Sequence, residues 1–381
     1  MATASRNGSA REIILGLGLA LFSIAVTLGL GELAFRILDV PSGLVPPRIV
    51  EVPNADGGWE PVAAWGTLPV KRASPFPAVH GGEYVPHSRF RFAYYDDFDH
   101  VFDEAHVVHD AVAHINALGC RGADFPREKP PGVYRILFVG DSFTFGEGVG
   151  DDEPFPVRVE AALNASSPPR RVQAVNAGVA GYNTKDEVIY LERRWLALDP
   201  DLVVITFFLN DAYDDERFAA LEMGQAGGHL GYNVLIPSRL LRWAVARWKG
   251  WRLGRSVRET YRAQFSGNPA IEGHDWRDVQ ASLIHASELL RQRGVPLVLV
   301  IFPELYDLGP DHPFADIYEQ VAAFARDHGI PVLNLYPPFA SRRAEELWVF
   351  VNDHHPNAAA HALAADAIVG FLRAQTPPLV P

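Results

Sequence analysis

Val139-Gly140-Asp141-Ser142-Phe143-Thr144-Phe145-Gly146 is the stretch on which the reading of this chain turns. Tyr134 to Val139 leads into it, a short apolar run with β-branched and aromatic residues, which predicts a buried strand. Glycines at 140, 146 and 148 break the pattern, and a helical stretch begins near Phe155. Strand, tight turn and helix in that order fit an open parallel sheet, which presents reactive groups at the carboxyl ends of its strands. Ser142 on that turn is open to two readings. It is a nucleophile pointing into the crevice, or a turn or capping serine.

Downstream, the pattern alternates. Phe155 to Asn164 reads as a helix, Arg171 to Asn176 as a strand, and Thr184 to Leu198 as a helix with an apolar stripe of Val188, Tyr190, Leu191, Trp195 and Leu198. Asp201 to Phe208 is a near-continuous apolar strand, as expected when both sheet faces are covered. Trp276 to Gln292 (helix), Pro296 to Phe302 (strand), Phe314 to Asp327 (helix), Pro331 to Leu335 (strand) and Ala358 to Ala374 (helix) follow. The expected fold is α/β: three α/β/α layers around a mostly parallel sheet of about five strands with right-handed crossovers.

If the sheet is parallel, four polar segments share one edge: Asp141-Ser142, Asn176 through Asn183, Asn210-Asp211, and Asp353-His354-His355-Pro356-Asn357. Singly, each is as well explained by turns, caps or a structural histidine. Together they supply a hydroxyl, a glycine amide, a side-chain amide and a histidine with a nearby carboxylate, which are the parts of an acyl-transfer site. Asp311-His312-Pro313 has a similar flavour, but it precedes a further strand and helix.

From Tyr134 to Ala374 the chain resembles the SGNH (GDSL-type) hydrolases, whose blocks occur here in family order. Gly140-Asp141-Ser142 resembles the nucleophile block, Asn176 through Gly181 the second, Asn210-Asp211 the third and His355-Pro356-Asn357 the last. The resemblance implies a flavodoxin-like fold and a serine esterase. Ser142 would be the nucleophile, His355 rather than His354 the base, and Asp353 its carboxylate. The backbone N–H groups of Ser142 and Gly181 and the Asn210 side chain would form the oxyanion hole. Two departures stand out. Phe208 occupies the place of a glycine two residues before Asn210, and Asp353 lies two rather than three residues before its histidine.

The chain has 381 residues, 48% of them hydrophobic, and a formal net charge of −12, which argues against general nucleic-acid binding. Its single cysteine, Cys120, excludes an intramolecular disulfide and a cysteine-based metal cluster. No metal or organic cofactor is expected. Ile13 to Gly31 carries no charge and is about long enough to cross a hydrocarbon core. Arg6 and Arg11 precede it, favouring a cytoplasmic N-terminus with the remainder outside, periplasmic or on the cell surface. The small-x-small triplet Gly29-Leu30-Gly31 also fits a cleaved signal peptide, but the apolar run is long for one, so a retained anchor is expected.

The domain expectation is a tail and anchor over 1–36, a linker and β-rich arm over 37–130, and a hydrolase domain over 131–376 with an insert at about 212–275. Residues 40 to 75 read as extended linker, and His87 to His114 as a few antiparallel strands. The acids of that arm (Asp96, Asp97, Asp99, Asp103, Glu104) match no calcium-loop spacing and read as a solvated face. Within the insert, Ser238 to Arg262 is rich in Arg and Trp. A helix starting at Ser238 would gather Leu240, Leu241, Ala244, Val245 and Trp248 on one face, with Arg239, Arg242 and Lys249 opposite. Such a helix suits a membrane surface, a lid over an anionic substrate, or a solvated excursion.

Three functions remain open at this level. The first is an anchored esterase removing short acyl groups, for example acetyl, from an envelope glycan. The second is an O-acyltransferase handing the same acyl group to a sugar. The third is a non-catalytic binding protein on the same fold.

Overall fold

Strand β7, Val133–Val139, pairs between β8 (Arg171–Asn176) and β9 (Leu202–Phe207) in a five-stranded parallel sheet completed by β10 (Leu297–Ile301) and β11 (Val332–Asn334). The order across the sheet is β11-β10-β9-β7-β8. Counted from β7, that is the 2-1-3-4-5 arrangement of flavodoxin-like folds, whose crevice opens between the first and third strands. Here those strands are β7 and β9, which lead into Ser142 and Asn210. The computed structural model describes residues 4–38, 49–54, 56–61, 71–79, 82–96, 103–212, 238–268, 275–351 and 353–381.

The apolar runs make the sheet two-sided. Leu137, Val139, Val203, Ile205, Leu299 and Ile301 face one core with Val188, Leu191, Val279, Leu283, Ile317 and Val321, from helices Thr184–Arg193, Trp276–Arg293 and Ala315–Asp327. Ile136, Phe138, Leu202, Val204, Val298 and Val300 face the other with Phe155, Val159, Leu163, Ala364, Ile368 and Leu372, from helices Phe155–Asn164 and Ala358–Ala374. Alternation along each strand therefore builds both cores at once. The Thr184 helix is shorter than expected. It ends at Arg193, and a 3₁₀ turn, Trp195–Leu198, follows.

The arm is an antiparallel sheet in the order β2-β1-β5-β6, from β1 (Ile49–Pro53), β2 (Trp59–Pro61), β5 (Arg89–Tyr95) and β6 (Val107–His114). A small hairpin, β3 (Lys71–Arg72) with β4 (Glu83–Tyr84), accompanies it. The expectation of an extended linker over 40–75 is corrected by β1 to β3. Backbone pairing to Phe92 and Arg91 holds β1 in the sheet despite the local Pro and Gly. Phe90 and Phe92 join the first core, so the arm packs on the domain built around the parallel sheet. Asp97 and Asp99 lie outside the described residues. Asp96 is engaged by His106 at 2.8 Å, and Glu104 by the buried Arg91 at 2.7 Å.

A long helix, Ala4–Ile37, contains one stretch, Ile14–Ile37, apolar enough to span a membrane, and none of that stretch is buried. Its end meets the helix Arg239–Gln264, which begins one residue after the expected start and is capped by Ser238. Glu32 accepts hydrogen bonds from Ser238 Oγ (2.8 Å), Arg239 N (3.1 Å) and Leu240 N (3.0 Å), and Phe35 packs edge-on to Trp243. These contacts correct the expected faces of the insert. Arg242 is 7% exposed and turned inward, whereas Leu241 and Trp248 are 51% and 54% exposed. The Lys249 side chain and residues 213–237 and 269–274 of the insert lie outside the described residues.

Candidate active site

Ser142 opens a single helical turn, Ser142–Phe145, directly after β7. Asp141 caps it, accepting from Phe143 N at 2.9 Å, and Gly146 closes it in the left-handed conformation at φ 86°. The turn can lie this close to its neighbour only because Gly178 lacks a Cβ. A Cβ there would collide with the Phe145 amide and reach 3.0 Å from the Asp141 carbonyl. The segment after β8 is tied to the turn by Val179 N to Gly140 O (2.9 Å) and by the Asn176 side chain to Thr144 O (2.9 Å). It carries Gly181, at φ 79°, a conformation that favours glycine. After β9, Asn210 donates through Nδ2 to Asp141 Oδ2 at 3.0 Å.

The last block lies on a short strand, β13 (Asp353–Pro356), paired with β12 (Trp348–Phe350). Alternation places Asp353 and His355 on one face and His354 on the other. His355 Nε2 is 2.9 Å from Ser142 Oγ, and its Nδ1 is 2.5 Å from Asp353 Oδ1. Residues 213 positions apart thus form a hydroxyl–imidazole–carboxylate relay. His354 instead stacks between Trp348 (4.3 Å) and Tyr306 (5.5 Å). Burial lowers its basicity. Asn357 caps the final helix and ties its own side chain to Glu346 O and Trp348 O. His312 is occupied at both ring nitrogens, by Glu304 O (2.9 Å) and Phe314 N (3.1 Å), which is a structural role. Phe208 stacks on Phe143 at 3.9 Å, and Phe143 in turn lies 5.4 Å from the His355 ring. The departure at 208 therefore adds an aromatic wall beside His355.

Several groups escaped the sequence reading. Glu147, buried on the loop after Ser142, reaches 3.5 Å from His355 Nε2. Arg121 is buried beneath that loop and donates to the carbonyls of Phe145 (2.8 Å), Gly146 and Val149. Glu304 is pushed up to about 7 by burial, against the opposing pull of His355. Behind Ser142 lie three buried carboxyl groups. Burial raises Asp141 to about 6. Burial, then their mutual repulsion and that of Asp141, drives Glu187 and Asp211 well above the usual carboxylate range. Asp141 and Asp211 stood beside quoted motif residues; Glu187 sits on a helix with no motif around it.

An α/β fold with a hydroxyl–imidazole–carboxylate relay at the edge of its sheet fits a hydrolytic enzyme. Residues 138–363 match the GDSL-like Lipase/Acylhydrolase family, and the chain belongs to it. It is a hydrolase acting on ester bonds. No curated protein matches the chain. Among solved structures it is similar to Axe2, an acetylxylan esterase from Geobacillus stearothermophilus, at 16% identity over 62% of this chain and 93% of that one (TM-score 0.41). It is also similar to LAE5, an alpha/beta hydrolase from the metagenome of Lake Arreo, Spain, at 19% identity over 62% and 94% (TM-score 0.39). A third is a two-domain esterase active on acetylated mannans, at 17% over 65% and 51% (TM-score 0.40). At these identities the likeness is one of fold.

Proposed function

We propose that Ser142, His355 and Asp353 are the catalytic residues of a serine esterase acting on short-chain acyl esters. The observation that carries this is the unbroken relay from Ser142 Oγ through His355 to Asp353, at 2.9 and 2.5 Å. His355 takes the Ser142 proton as Oγ attacks the ester carbonyl. Asp353 holds the tautomer with hydrogen on Nδ1 and stabilises the imidazolium. The developing oxyanion is met by the amides of Ser142 and Gly181 and by Asn210 Nδ2, whose second hydrogen is free of Asp141. His355 then returns the proton to the leaving alcohol, and water repeats the cycle on the acyl-enzyme.

The Phe143–Phe208 stack fills the space beside the base and favours a small acyl group such as acetyl. An envelope glycan is the proposed alcohol. The apolar Ile14–Ile37 stretch, with Arg6 and Arg11 before it, supports a membrane-anchored enzyme with its catalytic part outside the cytoplasm. Residues 37–130 would then form the arm and 131–376 the hydrolase domain.

The test is labelling of the full chain with a fluorophosphonate probe alongside turnover of an aryl acetate. Labelling at Ser142 that disappears in His355→Ala, with loss of turnover in Ser142→Ala, is the expected result. Unchanged turnover in Ser142→Ala would remove the nucleophile assignment.

A further inference from the structure

We propose that Tyr94, on arm strand β5, is a positioning residue for the catalytic carboxylate, so that the arm completes the active site. This rests on the relay proposed above. Tyr94 is fully buried, and its hydroxyl donates to Asp353 Oδ2 at 2.9 Å. The other oxygen, Oδ1, takes both His355 Nδ1 (2.5 Å) and the His355 amide (3.1 Å). Both carboxylate oxygens are therefore held, and the plane of the carboxylate is set against the imidazole.

The need for such a group follows from the chain itself. Asp353 and His355 are two residues apart on an extended strand. Same-face side chains there stand side by side, and the carboxylate must turn along the strand to reach Nδ1. A second donor on Oδ2 holds that turned rotamer.

The surroundings are built to let the tyrosine arrive. Its ring is packed by His109 of β6 (5.3 Å) and by Phe350 (5.2 Å), which pairs with Asp353 across the β12–β13 ribbon. The register of β5 against β6 shifts between Tyr94 and Tyr95, an irregularity of the kind that re-aims a side chain. Gly148 makes room for the hydroxyl, because a Cβ at that position would lie 2.6 Å from Tyr94 Oη. His109 Nε2 pairs with the Gly148 carbonyl at 2.8 Å, holding the same loop against the arm. Tyr94 lies outside residues 138–363, the part that carries the family match.

The experiment is a double-mutant cycle on the full chain in detergent micelles, with an aryl acetate as substrate. Tyr94→Phe is expected to lower kcat by roughly 10- to 100-fold, the range for a hydrogen bond to a charged group, with KM unchanged. On an Asp353→Asn background the same change should cost nothing further. A merely structural tyrosine would lower activity by the same factor on both backgrounds, and that result overturns the proposal, as does full activity of Tyr94→Phe. If Tyr94→Phe fails to fold, fluorotyrosines at position 94 keep the ring and alter only the strength of the donor. A kcat that follows phenol acidity supports the assignment, and a flat response overturns it. Loss of turnover in Asp353→Asn with none in Tyr94→Phe sinks this inference alone. No loss in either Ser142→Ala or Asp353→Asn sinks the relay beneath it.

Discussion

Asn210 is bound to two duties at once: it donates to Asp141 and its remaining hydrogen is the proposed oxyanion donor. Asn210→Ala should slow aryl acetate turnover by roughly 10²–10³-fold, the usual cost of one such donor. The carboxyl cluster behind it gives a pH signature. Asp141, Glu187 and Asp211 are all raised in the folded state, so each favours folding at low pH. That contribution is complete below about pH 4, where the unfolded carboxyls also hold their protons. It is lost as pH rises through about 6 for Asp141, and Glu187 and Asp211, also raised, act in the same direction. The melting temperature should therefore fall as pH rises from about 4 through about 6 and beyond. Glu187→Gln, which cannot ionise, should flatten that fall; an equally steep fall by differential scanning fluorimetry would count against the cluster. Arg121 has the opposite character, a buried cation spent on backbone. Arg121→Met takes a donor from each of three carbonyls, leaving Phe145 O to Asn176 Nδ2 and Val149 O without its guanidinium partner, and should cost about 3 kcal/mol in denaturant unfolding.

The helix Arg239–Gln264 is a strut about 39 Å long. Its start is fastened to Glu32. Its far end is fastened to the hydrolase domain through Tyr261 on Phe314 and Phe265 on Trp276, with Arg258 on Asp307 at 2.6 Å. Glu32→Ala with Ser238→Ala should raise deuterium uptake over residues 239–248 while leaving turnover unchanged, since each lost cap costs about 1 kcal/mol. Unchanged uptake would deny the clasp. This helix also marks what the sequence could not disclose. Its start at Ser238 was legible because helix starts are set locally. Its buried face was not, because the partners, Glu32 and Phe35, lie about two hundred residues away. The main sheet was legible nearly to the residue, since strands covered on both faces must be apolar throughout. β1 was hidden by the prolines and glycines around it, and only its pairing with β5 makes it a strand. The Ser142, Asn210 and His355 blocks announced themselves by order. Tyr94 and Glu147 could not, since a tyrosine in a strand and a glutamate in a loop carry no signal until the fold brings them together.

At the scale of the whole molecule, the proposed placement of the catalytic domain outside the cytoplasm can be measured through the chain's lone thiol. Cys120 is 1% exposed, and burial pushes its thiol up to about 12. Too few thiolates and too little access make the parent chain silent toward a maleimide. Single cysteines can then report on either side of the candidate span. Asp152 is exposed on the hydrolase domain, and Arg6 precedes the apolar stretch. In intact spheroplasts, a membrane-impermeant polyethylene-glycol maleimide should shift the Asp152→Cys chain and leave Arg6→Cys and the parent unshifted. After detergent permeabilisation, Arg6→Cys should shift too, as a band of the full 42.0 kDa chain, because a retained helix keeps its tail. The reverse pattern would place the catalytic part in the cytoplasm and end the case for an envelope substrate. Absence of any Arg6→Cys band in chains that still carry Asp152 would instead mean that the apolar segment is removed as a signal peptide, leaving the strut without its clasp.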